Sequence, residues 1–246
     1  GSSGGRRYNV DATAKVLNDT LLAPGEVFDY SRIIEQTRRQ YGYRQAPVIY
    51  DGQLVPGIGG GICQISTTLY NAVLRIGLEI VERRNHSLPI RYAPLGLDAT
   101  YSTGYINFRF RNTLDSHLLI RAELVGNQVV VKLFGEMDRA VRYTVETKIV
   151  EELDPPVKYV HNPALPKGAQ QVVRQGRKGY VVETYRTKWI NGEKGETEQI
   201  SRDRYQPQPT VIAVNRGAAG PGKQNRVGPD ENRKPIIEDG VFGPIY

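Results

Sequence analysis

A run of glycines delivers the chain's single cysteine to the start of a helix. The segment is Gly57-Ile58-Gly59-Gly60-Gly61-Ile62-Cys63-Gln64-Ile65-Ser66-Thr67-Thr68. Beyond it Ile65, Leu69, Ala72, Val73 and Ile76 recur at helical spacing, which predicts a helix over Gln64–Ile76, and Gly77 supplies a stop. A helix N-terminus has free N–H groups and partial positive charge, which bias a thiol there toward the reactive thiolate. The same N–H groups can receive a developing oxyanion during acyl transfer. Glycines let a substrate backbone come close. Gly60, Gly61, Gln64, Ser66 and Thr67 are therefore expected to contact substrate.

The rest of the chain frames this segment. Val10, Ala14, Leu17 and Leu21 predict a helix over Asn9–Leu22, capped by Asn9 and stopped by Pro24-Gly25. After Gly77 the period changes to two. Strands are predicted at 78–83, 105–110, 117–125 and 128–134, the last pair joined by a Gly126-Asn127 turn. The N-terminal part thus reads as α+β, with two helices and antiparallel strands. Residues 136–140 are a polar break. Beyond them, strands at 143–150, 179–189 and 196–201 predict a small, elongated all-β domain. The expected division is 1–5 an expression scar, 6–137 the first domain, 142–215 the β domain and 216–246 a Gly/Pro-rich tail. Ile236, Ile237, Val241, Phe242, Ile245 and Tyr246 are too apolar for a free linker. The tail end is expected to pack on a domain or a neighbour, and over Cys63 it would block the thiol.

Composition narrows the function. One cysteine excludes an internal disulfide or a multi-thiolate zinc site, and His86, His117 and His161 lack metal spacing. No phosphate loop, dinucleotide fingerprint or H-E-x-x-H motif is present. No metal or cofactor is expected. The net charge of +7 suits polyanions, although no concentrated basic stripe points to nucleic acid. No run of apolar residues is long enough for a membrane span.

Downstream of Cys63 stand His86, in Arg83-Arg84-Asn85-His86-Ser87, and Asp98, in Gly96-Leu97-Asp98-Ala99-Thr100. The order fits a nucleophile, its base and an orienting carboxylate. It equally fits a buried structural thiol, a satisfied turn histidine and a turn-capping aspartate. Arg83 and Arg84 suit either a substrate carboxylate or a solvated face. Tyr70 suits either a cleft wall or the core. His117 is expected to be structural and His161 to lie in a turn.

These residues also carry a resemblance. Pro24-Gly25-Glu26-Val27-Phe28, Gly42-Tyr43, Ala46-Pro47-Val48-Ile49, Gly59 through Ala72, Val81 through Ser87 and Gly96 through Thr100 resemble the VanW family across roughly residues 6–135. Leu153-Asp154-Pro155-Pro156, Gly168, Gly176-Arg177-Lys178-Gly179 and Tyr205-Gln206-Pro207 resemble the G-five domain, a β module of bacterial surface proteins. The resemblance implies an extracytoplasmic, wall-facing protein, joined to the membrane only through a segment outside this sequence. It implies an LD-transpeptidase that forms 3–3 cross-links between peptidoglycan stem peptides through a cysteine acyl-enzyme. Cys63 would be the nucleophile and His86 the base, with Asp98 orienting it. Arg83, Arg84 and Tyr70 would join the substrate contacts. The implied partners are stem peptides and wall glycans or teichoic acids. The alternative is a non-catalytic wall- or glycan-binding protein with a structural Cys63. Two departures stand out: Asp29-Tyr30-Ser31 where the family often has Ser-Phe-Asn, and Asn107 where it often has Asp.

Overall fold

The computed structural model describes residues 4–50, 52–215 and 236–242. Helix α1 (Gly4–Leu17) buries Val10, Ala14 and Leu17 at the predicted spacing. It begins before the predicted start, so Gly4 and Gly5, read above as scar, open the helix. Asn9 lies inside α1 rather than capping it. The helix ends at Leu17 because Asp19 takes a left-handed conformation (φ 65°) and turns the chain into β1 (Thr20–Leu22).

Where two helices were expected before the strands, the first domain has three. Helix α2 (Tyr30–Gln40) follows β2 (Val27–Asp29), and Asp29 caps it by accepting from the Ser31 amide at 2.9 Å. The Asn107 side-chain amide donates to the same Asp29 oxygen at 2.7 Å. The two departures from the family pattern therefore meet in one helix cap, with a single negative charge shared between them. Helix α3 (Cys63–Arg75) matches the predicted span within a residue and stops before Gly77 (φ 80°).

Between α2 and α3 run β3 (Gln45–Tyr50) and β4 (Gln53–Ile58), an antiparallel pair with Pro47 opposite Pro56. Then come β5 (Glu79–Glu82), β6 (Arg109–Arg111), β7 (Leu118–Val125) and β8 (Gln128–Phe134). β6 is shorter than the predicted 105–110 strand. β1 and β8 flank β7, while β2 and β5 flank β6, all antiparallel. One core joins α1, α2 and α3 to these sheets through Leu17, Ile34, Leu69, Val73, Phe108, Phe110, Leu118 and Ile120.

The second domain is all-β. Long strands β9 (Val141–Leu153), β12 (Gly179–Ile190) and β13 (Glu193–Tyr205) form one antiparallel sheet centred on β12. A smaller sheet contains β10 (Val157–His161), β14 (Thr210–Val214) and β11 (Gln170–Arg174), in which β10 and β14 run parallel. Its buried apolar residues are few: Val181, Val182, Tyr205, Ala213 and Val214. His161 ends β10 rather than lying in a turn, and His117 is exposed just before β7.

The last described segment returns to the first domain. β15 (Ile237–Glu238) adds an antiparallel edge to β3, and Ile58 exchanges backbone hydrogen bonds with Phe242. Val241 is 5% exposed and joins the main core. The packing expected of the tail is therefore present for 236–242, while Ile245 and Tyr246 lie outside the described residues.

Candidate active site

The glycine loop is held from three sides. The Asn9 side chain donates to the Gly60 carbonyl at 3.0 Å, and the Tyr30 hydroxyl donates to the Ile62 carbonyl at 2.7 Å. Gly61 has a φ of 107°, a conformation that strains any residue with a Cβ. This backbone turns two amides the same way. The N–H groups of Gly61 and Cys63 both donate to Asp239 Oδ1, at 3.2 and 2.8 Å. Arg6 donates to the other oxygen, Oδ2, at 3.0 Å and reaches Gln64 Oε1 at 3.4 Å. Beside them the Tyr101 amide donates to Cys63 Sγ at 3.0 Å.

The base and its orienter form a second unit. Asp98 Oδ2 lies 2.6 Å from His86 Nδ1 and accepts from the His86 amide at 2.7 Å. That places the ring proton on Nδ1 and leaves Nε2 as acceptor. Nε2 faces the Tyr92 hydroxyl at 3.4 Å. Burial opposes the charge on Asp98, but the His86 hydrogen bonds and the Arg83 cation hold its pKa below the usual carboxylate range.

The two units are not in direct contact. The hydrogen bonds of Cys63 Sγ go to the Tyr101 backbone, and none goes to His86. The Tyr92 hydroxyl bonds the imidazole, and burial, followed by the negative charge of Asp239, pushes its pKa well above the ordinary tyrosine value. No sequence pattern marked Tyr92, because a lone tyrosine in an irregular loop has no period or motif to single it out.

Several expected substrate contacts are structural. The Arg83 side chain is 4% exposed, and its guanidinium donates to both Asp203 oxygens at 2.6 Å. It also reaches Asp98 and packs over the Tyr70 ring. This enclosed cation holds the two acids. Tyr70 is wholly buried in the core, its hydroxyl without a hydrogen-bond partner. Ser66 and Thr67 are buried and bond the Ala99 backbone, which pins the Asp98 loop to α3. Gly60 is buried, and a Cβ there would lie 2.2 Å from the Pro47 carbonyl oxygen. Arg84 is exposed and touches the Asp98 loop through its backbone carbonyl, which accepts from Thr100. Gly61, Gln64 and Cys63 remain grouped at the loop.

The β domain enters this arrangement. The Tyr205 hydroxyl donates to Asp98 Oδ1, and the Gly96 amide donates to the Tyr205 oxygen at 2.7 Å. The Gln206 amide also donates to the Ser87 carbonyl at 2.8 Å. Sequence reasoning missed Asp203 and Tyr205 because long-range pairing leaves no local signal.

The thiol differs from its expectation. Burial, followed by the negative charge of Asp239, pushes the Cys63 pKa well above the ordinary thiol value, outweighing the Tyr101 hydrogen bond. Alkylation of the native chain should therefore titrate above the free-thiol midpoint of about 8.5. A rate profile against pH with iodoacetamide checks this; a midpoint below 8.5 would show that the helix terminus dominates.

The family model for VanW like protein matches residues 5–134, just over half of the 246-residue chain. The chain belongs to the VanW-like family. The G5 domain model matches residues 144–216. Among curated relatives of this VanW-like chain, the uncharacterized protein YoaR of Bacillus subtilis is 41% identical over 134 residues, covering 54% of this chain and 44% of YoaR. The vancomycin B-type resistance protein VanW of Enterococcus faecalis is 29% identical over 143 residues, covering 56% of this chain and 52% of that protein. The chain thus spans about half the length of the curated relatives it matches. Among solved structures, the IgA1 protease G5 domain is 27% identical with a TM-score of 0.25, covering 30% of this chain and 88% of that one. Among the described residues no helix is long and apolar enough to cross a membrane, and no cluster of ligands could hold a metal ion.

Proposed function

We propose that this VanW-like chain is a cysteine acyltransferase of the bacterial cell wall, an LD-transpeptidase acting on peptidoglycan stem peptides outside the membrane. The observation that carries the reading is the convergence of the Gly61 and Cys63 amides on one oxygen beside the thiol. A donor carbonyl in that position has its developing oxyanion held by two N–H groups at the N-terminus of α3. The Cys63 proton passes to His86 Nε2, and the sulfur attacks the carbonyl after the donor's diamino acid. The C–N bond breaks, terminal D-Ala leaves with a proton from His86, and a thioester remains. The side-chain amine of a second stem then attacks the thioester, gives its proton to His86 and frees the thiol. Water in place of the amine yields an LD-carboxypeptidase. The β domain adds wall attachment, and the positive charge favours stem carboxylates or teichoic acids.

A second reading, a non-catalytic wall-binding protein, draws on the full burial of Cys63 and the absence of a direct bond to His86. Mass spectrometry after incubation with disaccharide-tetrapeptide separates the two. The expected result is an adduct on Cys63 that has lost D-Ala, and a 3–3 cross-linked dimer, both abolished in Cys63→Ala. Absence of the adduct, including from the Asp239→Ala and Gly240→Val chains described below, would leave the binding reading.

A further inference from the structure

Residues 236–242 lie along β3 and the glycine loop, against the amides of Gly61 and Cys63. Ile237 and Glu238 pair with Tyr50 and Ile49 on the edge of β3, as an added peptide strand does. Val241 and Phe242 donate to the Ile58 carbonyl at 2.8 and 3.3 Å, and Gly240 bridges to Ser102. Glu238 accepts from the Ser87 amide and hydroxyl at 2.9 and 3.0 Å, one residue beyond His86. Between these anchors Asp239, with φ 57°, turns its carboxylate onto the amides of Gly61 and Cys63 and onto Arg6.

Two glycines of the loop lie against this backbone. A Cβ on Gly59 would lie 2.7 Å from Val241, and one on Gly57 would meet Val48 at 2.5 Å and the Phe242 carbonyl oxygen at 3.0 Å. A Cβ on Gly240 would lie 2.4 Å from Val48. The motif that brings Cys63 to α3 is thus also the bed of an extended peptide. Under it the thiol has no exposure.

We propose that residues 236–242 are an inhibitory strap whose Asp239 carboxylate occupies the oxyanion position, so that strap and donor peptide compete for one groove. The inference rests on the reading above in one respect, that a peptide carbonyl enters the same amide pair. The strap acts twice. It fills the position that a carbonyl oxygen must take, and it sets a negative charge beside the sulfur that disfavours the thiolate. A stem peptide, itself extended and ending in a carboxylate, has the chemistry to displace it.

The test uses the whole chain in two variants that release the strap by different means. Asp239→Ala removes the carboxylate, and Gly240→Val forces a clash with Val48. Iodoacetamide alkylation of Cys63 should accelerate at least tenfold in both, without added denaturant and with the main thermal transition retained. A synthetic peptide of the sequence Ile-Ile-Glu-Asp-Gly-Val-Phe should slow both variants again. Wild-type alkylation rates in both variants would overturn the proposal. So would acceleration that the peptide does not reverse, or that merely follows a lowered melting temperature. Alkylation needs no wall substrate, so the strap can fail while transpeptidation stands. Freely alkylated variants that form no acyl-enzyme would instead sink the transpeptidase and leave the strap.

Discussion

Arg83→Met should cost about 3–5 kcal/mol of folding stability, because it leaves buried acids without their cation. Asp203 is 6% exposed and Asp98 1%, and the Arg83 guanidinium bridges them. Methionine fills much of the same volume, so the loss is chiefly electrostatic. Asp203 comes from the β domain and Asp98 from the first, so the two domains should also unfold less cooperatively with one another. Denaturant unfolding followed by Trp189 fluorescence, which reports the β domain, and by far-ultraviolet dichroism checks both points. The Arg83→Met/Asp203→Asn pair should recover part of the loss, as removing both partners avoids one uncompensated charge. A single Arg83→Met loss below about 1 kcal/mol would place this pair among weak surface bridges.

The second large effect concerns Asp98→Asn. The amide keeps the shape of the carboxylate but cannot hold a proton on His86 Nδ1 or balance an imidazolium. In serine-protease triads, the general example of this chemistry, the same exchange costs about 10⁴ in rate, and a loss of about 10²–10⁴ in acyl-enzyme formation is expected here. The stability consequence follows from the sign of the shift. The Asp98 pKa is lowered in the folded chain. Its contribution is complete above the unfolded Asp value of about 3.9 and fades as pH falls through the lower native value. Asp98→Asn should therefore flatten the acid limb of the stability profile as well as slow the chemistry. Stopped acylation with an unchanged acid limb would mean that the carboxylate orients the ring but carries little folding energy.

The parts of this molecule that read from sequence are those whose signal is local. Helix α3 and the β7–β8 hairpin lie where period and turn residues put them. Helix α2 escaped because its buried stripe is Tyr30, Ile33, Ile34 and Thr37, with polar and charged residues filling the rest. Strands β3 and β4 escaped because each carries a proline, a residue that is uncommon inside a sheet, and Pro47 faces Pro56 across the pair. At the site, residue types drew attention to Cys63, His86 and Asp98, and the structure brings His86 onto Asp98. What sequence left open was depth. Arg83, Tyr70, Ser66 and Thr67 are the right chemical types for substrate contact, but burial commits them to holding the loops. Asp239 lay in plain view within an apolar tail whose docking was expected, but only the fold puts its carboxylate on the Cys63 amide.

The contact between the domains also constrains how such modules can be exchanged. Residues 203 and 205 stand two apart on β13, so both side chains leave the same face of the strand toward the first domain. One meets Arg83 and the other Asp98. Together they act as an address written in two letters. A β module grafted from another protein would fold behind this VanW-like domain yet leave the acid behind His86 without its hydroxyl donor, unless it carried Asp and Tyr at that spacing. Exchange of the β module is thus constrained at these two side chains, which lie far from the 136–140 break in the sequence.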